Sequence, residues 1–115
     1  MLRGEIRIVD LEPAAGAKAG KRRPAVVVSN DLANATASQL GRGVVTVVPV
    51  TSSISRVYPF QVLLPKSATG LRQDSKAQAE QVRSVAVQRL GARVGIVPHV
   101  IMAELDQALR LHLAL

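Results

Sequence analysis

The 115-residue chain has no cysteine. That excludes disulfides, thiolate metal ligands and a cysteine nucleophile, and it fits the reducing cytoplasm in which the protein is expected to work. Aromatics are almost as scarce: there is no Trp, and Tyr58 and Phe60 are the only aromatic rings. No aromatic box for a cofactor can be assembled from them, and no cofactor is expected. No apolar run approaches the ~20 residues of a membrane-spanning helix. Met1-Leu2-Arg3-Gly4-Glu5 lacks the apolar segment of a secretory signal. Neither a membrane nor export is therefore expected.

Acidic residues number only eight and are scattered, whereas a nuclease that uses two metal ions needs clustered carboxylates. The two histidines, His99 and His112, fall late in the chain and read as helix-surface or core-edge residues. Neither a Gly-x-x-x-x-Gly-Lys-Ser/Thr phosphate loop, a Gly-x-Gly-x-x-Gly turn nor a His-x-x-x-His pair occurs.

What the chain does have is positive charge and small apolar residues. Fifteen Lys+Arg against eight Asp+Glu leave a net charge of +7, and eleven of the fifteen are arginine. Such a balance suits an anionic partner, nucleic acid or an acidic protein, and a guanidinium presents a planar fork of donors to phosphate. The same charge also serves plain solubility. Apolar residues make up 48% of the chain, enough for the core of one domain spanning residues 1–115.

Alternation of Ile6 and Ile8 around Arg7 predicts a first strand over Gly4–Leu11. Glu12–Arg23 reads as an exposed basic loop. The β-branched runs Pro24–Asn30 and Gly43–Thr51 predict buried strands, with Pro49 near a strand end or a bulge because it has no N–H for the ladder. Asp31–Arg42, polar and Ala-rich, is expected to be a loop with a helical turn. Strands follow over Tyr58–Leu64 and Lys76–Val85, separated by a turn around Gly70. A turn over Val87–Gly91 and a short strand over Arg93–Ile96 come next. From Pro98 the period changes: Ile101, Leu105, Ala108, Leu109 and Leu113 recur at helical spacing. Five or six strands and a C-terminal helix describe a mainly β domain, a small, strongly curved antiparallel sheet or SH3-like barrel with the helix packed on it. The closing string Leu111-His112-Leu113-Ala114-Leu115 is more apolar surface than so small a domain hides, so a homodimer is expected.

Two stretches are candidates for chemistry: Lys18-Ala19-Gly20-Lys21-Arg22-Arg23-Pro24, and the strand end Pro49-Val50-Thr51-Ser52-Ser53. Taken by themselves they read equally as a solvated loop and a strand end capped by hydroxyls. Their order along the chain adds more. Gly4-Glu5-Ile6, Val9-Asp10-Leu11-Glu12-Pro13, Gly16, Arg23-Pro24-Ala25-Val26-Val27-Val28-Ser29-Asn30, Val48-Pro49-Val50-Thr51-Ser52, Tyr58-Pro59-Phe60, Ala79-Glu80-Gln81-Val82-Arg83-Ser84 and Arg89-Leu90 follow one another as in the MazF/PemK toxins. The chain resembles that family over nearly its whole length.

The resemblance implies the curved-sheet toxin fold, a homodimer, and sequence-selective, metal-independent cleavage of single-stranded RNA (mRNA). It implies a partner too, a MazE-like antitoxin whose acidic segment occupies the RNA groove. Arg23 and Thr51 match the family's reacting pair, and Glu80, Gln81 and Arg83 match the strand that lines its substrate groove. The implied reaction is attack of the substrate's own 2′-hydroxyl on the adjacent phosphate, leaving a 2′,3′-cyclic phosphate and a 5′-hydroxyl. Arg23 suits stabilisation of the phosphorane and Thr51 suits orientation of the phosphate. Lys18, Lys21 and Arg22 add phosphate attraction, Ser52 and Ser53 add hydroxyls beside Thr51, and Tyr58 at a loop edge is placed to stack on a base.

Two departures stand out. Gly16-Ala17-Lys18-Ala19 replaces the family's usual Gly-Ser-Glu-Gln, and Arg7 stands where an aromatic often follows Gly-Glu-Ile. Both bear on substrate preference. Three other functions compete with the nuclease: a gyrase-binding toxin of the CcdB type, a non-catalytic nucleic-acid-binding module, and an inactive relative.

Overall fold

A computed structural model describes residues 1–12 and 21–115. β1 (Glu5–Glu12) and β2 (Lys21–Val27) pair antiparallel, Ile6 opposite Val26 and Val9 opposite Arg23. On its other edge β2 pairs with β3 (Val44–Thr51), with Ala25↔Pro49, Val26↔Val48 and Val27↔Val47 in register. Alternation along these strands feeds two cores rather than one. Ile6, Val26, Val48 and Val50 face a cluster completed by Leu64 and Leu105, whereas Val9, Ala25, Val27, Val45 and Val47 face a second one with Val85. A sheet buried on both faces explains why β2 and β3 are near-continuous runs of Val and Ala.

The remaining elements are β4 (Gln61–Leu64), the four-residue helix α2 (Lys66–Thr69), β5 (Ser75–Gln78), β6 (Arg83–Ala86), β7 (Leu90–Ile96) and the helix α3 (His99–Leu113). The seven strands form one antiparallel sheet ordered β4-β5-β3-β2-β1-β7, with β6 also on β3. β3 is shared along its length: Val44–Val47 pair with β6, and Val50 and Thr51 with β5. The sheet curves but does not close into a barrel, since β4 and β7 remain the ends of the path.

Several expectations are corrected. Asp31–Arg42 is not a loop: α1 (Asp31–Leu40) fills it. The helix is capped at both ends, with the Asn30 side chain accepting the Ala33 N–H at 2.8 Å and Gly41 in the left-handed conformation. Only Asn34 and Ala37 are buried, so it has no apolar stripe to betray it. The expected strand over Lys76–Val85 is broken by a 3-10 turn at Ala79–Gln81, and that over Tyr58–Leu64 begins only at Gln61. Phe60 accordingly lies in a turn, stacked on Tyr58 with ring centroids 5.5 Å apart. The last strand is longer than expected, because β7 takes in Leu90–Ala92, and Lys21–Arg23 belong to β2 rather than to a loop.

α3 docks by Met102, Leu105 and Ala108, against β4 and the Ala79–Gln81 turn. Burying a side chain such as Leu105 contributes about 1.5–3 kcal/mol. Arg3 ties the helix to the sheet, its guanidinium donating to Asp106 at 2.5 Å and to the Val28 carbonyl at 2.8 Å. Leu111, Leu113 and Leu115 at the helix end are exposed.

Candidate nucleic-acid interface

The β2–β3 ladder stops at Ala25↔Pro49. The next rung would pair Pro24 with Val50, and Pro24 lacks the N–H for it. Beyond that point β2 continues along β1, with Arg23 opposite Val9, while β3 continues along β5, with Thr51 opposite Lys76. Two neighbouring strands thus part company, and a groove of about 680 Å³ is lined by their diverging ends. Arg23 and Thr51, each two residues past the last rung, both line it.

Ile8, Pro24, Val50 and Leu71 give the groove an apolar surface. Among the described residues its charged groups are Arg23 and Arg72, with no carboxylate in the lining. Ser52 and Ser75 add hydroxyls, and Gln73 an amide. Cations, hydroxyls and an amide without an acid make a lining suited to phosphodiesters and base edges.

The Thr51 hydroxyl oxygen accepts the Ser53 backbone N–H at 3.2 Å. One lone pair is thereby occupied, leaving the O–H to donate outward. The loop after Thr51 is pinned by Lys76, which is buried although it is a lysine. Its ammonium donates to the Arg56 carbonyl at 2.6 Å and lies 5.9 Å from the centre of the Tyr58 ring. Gln61 completes the brace by accepting the Tyr58 N–H at 3.1 Å and donating to Glu80 at 2.7 Å.

Of the residues singled out from sequence, Arg23, Thr51 and Ser52 meet in the groove. Ser53 does not line the groove but donates its backbone N–H to the Thr51 hydroxyl oxygen. Arg22 is exposed one residue away, its guanidinium beside Gly91. Tyr58, Glu80, Gln81 and Arg83 do not line the groove. Glu80 is engaged with Gln61, and Arg83 donates to the Leu11 carbonyl at 2.9 Å from β6. Lys18, the Gly16–Ala19 departure and the Lys21 side chain lie outside the described residues. Arg7, the second departure, is spent on an ion pair with Glu5 at 3.0 Å and a bond to the Gly91 carbonyl. Arg72, Gln73 and Ser75 were not singled out from sequence. They follow a polar turn whose approach to Arg23 is a tertiary event with no local signal.

Known proteins match this chain over almost its whole length. It is 64% identical to the endoribonuclease MazF9 of Mycobacterium tuberculosis, covering 100% of this chain and 98% of that protein. Endoribonuclease EndoA of Bacillus subtilis is 30% identical over 98% of the chain and 94% of its own length. A MazE–MazF crystal structure from Deinococcus radiodurans superposes with a TM-score of 0.76 at 28% identity, covering 100% of this chain and 97% of that one. The family model for PemK-like, MazF-like toxins of type II toxin–antitoxin systems matches residues 2–113, and the chain belongs to that family.

Proposed function

We propose that the chain is a toxin endoribonuclease that cuts single-stranded RNA at preferred sequences without a metal ion. The observation that carries this reading is the groove at the β2–β3 fork, which Arg23 and Thr51 both line, with no carboxylate among its described lining residues. The relatives named as endoribonucleases support the same activity.

Without a metal, the accessible route is attack of the substrate's 2′-oxygen on the neighbouring phosphorus. The 2′-hydroxyl gives up its proton to solvent as the new P–O bond forms. The P–O5′ bond breaks, and the departing oxygen takes up a proton, leaving a 2′,3′-cyclic phosphate and a 5′-hydroxyl. Charge accumulates on the non-bridging oxygens in between, and a fixed guanidinium on Arg23 stabilises it through paired hydrogen bonds. Arginine stays protonated at neutral pH, so Arg23 serves as electrostatic partner and hydrogen-bond donor rather than as base, and the departing oxygen takes its proton from solvent. Thr51, its oxygen held by the Ser53 N–H, directs its O–H at the phosphate. The metal-independent part of the reading draws on the donor set: among the described residues no three His, Asp or Glu side chains converge.

The active unit is a homodimer in this reading, with the exposed Leu111 and Leu113 of α3 and Leu115 just beyond it available for burial. A MazE-like antitoxin with an acidic segment is the natural regulator, since that segment would meet the two groove arginines. Acting on mRNA, the enzyme works in the cytoplasm. The test is cleavage of unstructured RNA in EDTA, with sequencing of the fragment ends. Cyclic phosphate ends at a short recurring sequence support the reading; binding without cleavage, or gyrase inhibition with intact RNA, overturns it.

A further inference from the structure

The groove has a second wall that neither the reacting pair nor the strand fork supplies: the turn between α2 and β5, carrying Arg72 and Gln73. This turn is braced at each step. Gly70 closes α2 in the left-handed conformation (φ 82°), its N–H bonded to the Lys66 carbonyl. The Leu71 N–H donates to the Thr69 hydroxyl at 3.3 Å, and Leu71 packs on the core. Asp74 accepts the Lys66 N–H at 2.9 Å, and the Ser75 hydroxyl donates to the Gln73 carbonyl at 3.0 Å.

The brace engages every residue of the turn except the side chains of Arg72 and Gln73. Both are exposed, and among the described residues neither makes a side-chain hydrogen bond or ion pair. Arg3, Arg7 and Arg83 are spent on Asp106, Glu5 and the Leu11 carbonyl; what sets Arg72 apart from the other unpaired surface arginines is its place on the groove wall. A rigid turn that presents one unspent guanidinium and one unspent amide to an acid-free groove is preorganised for a ligand.

Resting on the nuclease reading above, we propose that this turn is a substrate-registering element. Arg72 binds a phosphate of the RNA other than the scissile one, and Gln73 reads the edge of the adjoining base. A groove of about 680 Å³ exceeds what the scissile phosphate alone needs and leaves room for its neighbours. The amide of Gln73 carries both donor and acceptor, the pairing that a splayed base edge requires. Because this phosphate is bound equally in ground and transition states, Arg72 acts on KM rather than on kcat.

The experiment uses the full chain and its Arg72→Ala, Arg72→Lys, Gln73→Ala and, as a surface-charge control, Arg110→Ala variants. Binding to an uncleavable 2′-O-methyl oligonucleotide is measured between 50 and 200 mM salt. Cleavage of a randomised single-stranded RNA is measured in parallel. Losing one single-strand phosphate contact is expected to make the slope of log affinity against log salt shallower by about 0.7 in Arg72→Ala, with Arg72→Lys and Arg110→Ala close to wild type. In cleavage, Arg72→Ala is expected to raise KM about tenfold with kcat nearly unchanged. Gln73→Ala is expected to relax the preference at one position of the cut site about tenfold while keeping the other positions. An unchanged slope in Arg72→Ala, or an unaltered cut-site profile in Gln73→Ala, overturns the assignment. The binding arm separates the two readings: a wild-type chain that binds with the full slope and cuts nothing removes the nuclease chemistry and leaves the Arg72 contact standing.

Discussion

Arg23 and Thr51 lie on strands that are hydrogen-bonded neighbours up to Ala25↔Pro49 and separate immediately afterwards, so that each residue lines one groove from its own side. Pro24, at the next rung, has no N–H to extend the ladder. The fork places a cation and a hydroxyl around one space.

Removing either member of that pair should lower turnover with little change in fold. Arg23→Ala and Thr51→Ala are each expected to cut cleavage of unstructured RNA by about a hundredfold or more, the effect of losing one preorganised donor to a developing oxyanion, roughly 3–4 kcal/mol. Single-turnover kinetics on purified variants with unchanged circular dichroism checks this.

Binding should depend steeply on salt. If Arg23, Arg72 and the neighbouring Arg22 each neutralise a phosphate, the slope of log affinity against log salt is about −2, a loss of about twentyfold between 50 and 200 mM. Titration with a fluorescent 2′-O-methyl oligonucleotide measures it. A slope near zero would disconnect the +7 charge from RNA.

Gly95 holds β7 against the base of the α2–β5 turn. A Cβ there would stand 2.7 Å from the Thr69 carbonyl oxygen and 3.2 Å from the Ile6 Cδ1. Backbone cannot yield as a flexible side chain does, so Gly95→Ala is expected to destabilise the fold by about 1–3 kcal/mol, a fall of several degrees in Tm.

Asn34 is fully buried and joins α1 to the sheet: its amide donates to the Ser29 carbonyl at 2.8 Å, and its carbonyl accepts the Ser29 hydroxyl. Ser29 in turn accepts the Thr46 N–H of β3 at 3.1 Å. Asn34→Ala leaves these groups unpaired and is expected to cost about 1–3 kcal/mol, read as a lower denaturant midpoint at constant slope. Leu32→Ala on the same helix, at an exposed position, is expected to stay within about 0.5 kcal/mol.

What could be read from sequence followed the strength of each local signal. β1, β3 and α3 carry runs of Ile, Val and Leu and lie close to where the pattern put them, whereas β2 starts three residues early, at Lys21, and ends at Val27. α1 was read as a loop because its burial is limited to Asn34 and Ala37. Its caps, Asn30 and Gly41, were the only evidence of it, and polar Ala-rich segments carry such residues in turns as well. The long strand expected over Lys76–Val85 broke because Glu80 and Gln81 occupy a 3-10 turn, where Glu80 bonds to Gln61 from a strand nineteen residues earlier. At the site, Arg23 and Thr51 were marked by the motifs around them. Arg72 and Gln73 were invisible, since their place beside the groove depends on β4 and β5 folding back along β3.

The most direct measurement is the turnover of the Arg23→Ala/Thr51→Ala double variant on an unstructured RNA in EDTA, beside the two single variants. If both side chains act on one phosphate, the double variant is about as slow as the slower single one, at least about a hundredfold below wild type. A folded double variant that cuts within a few-fold of wild type would contradict the account.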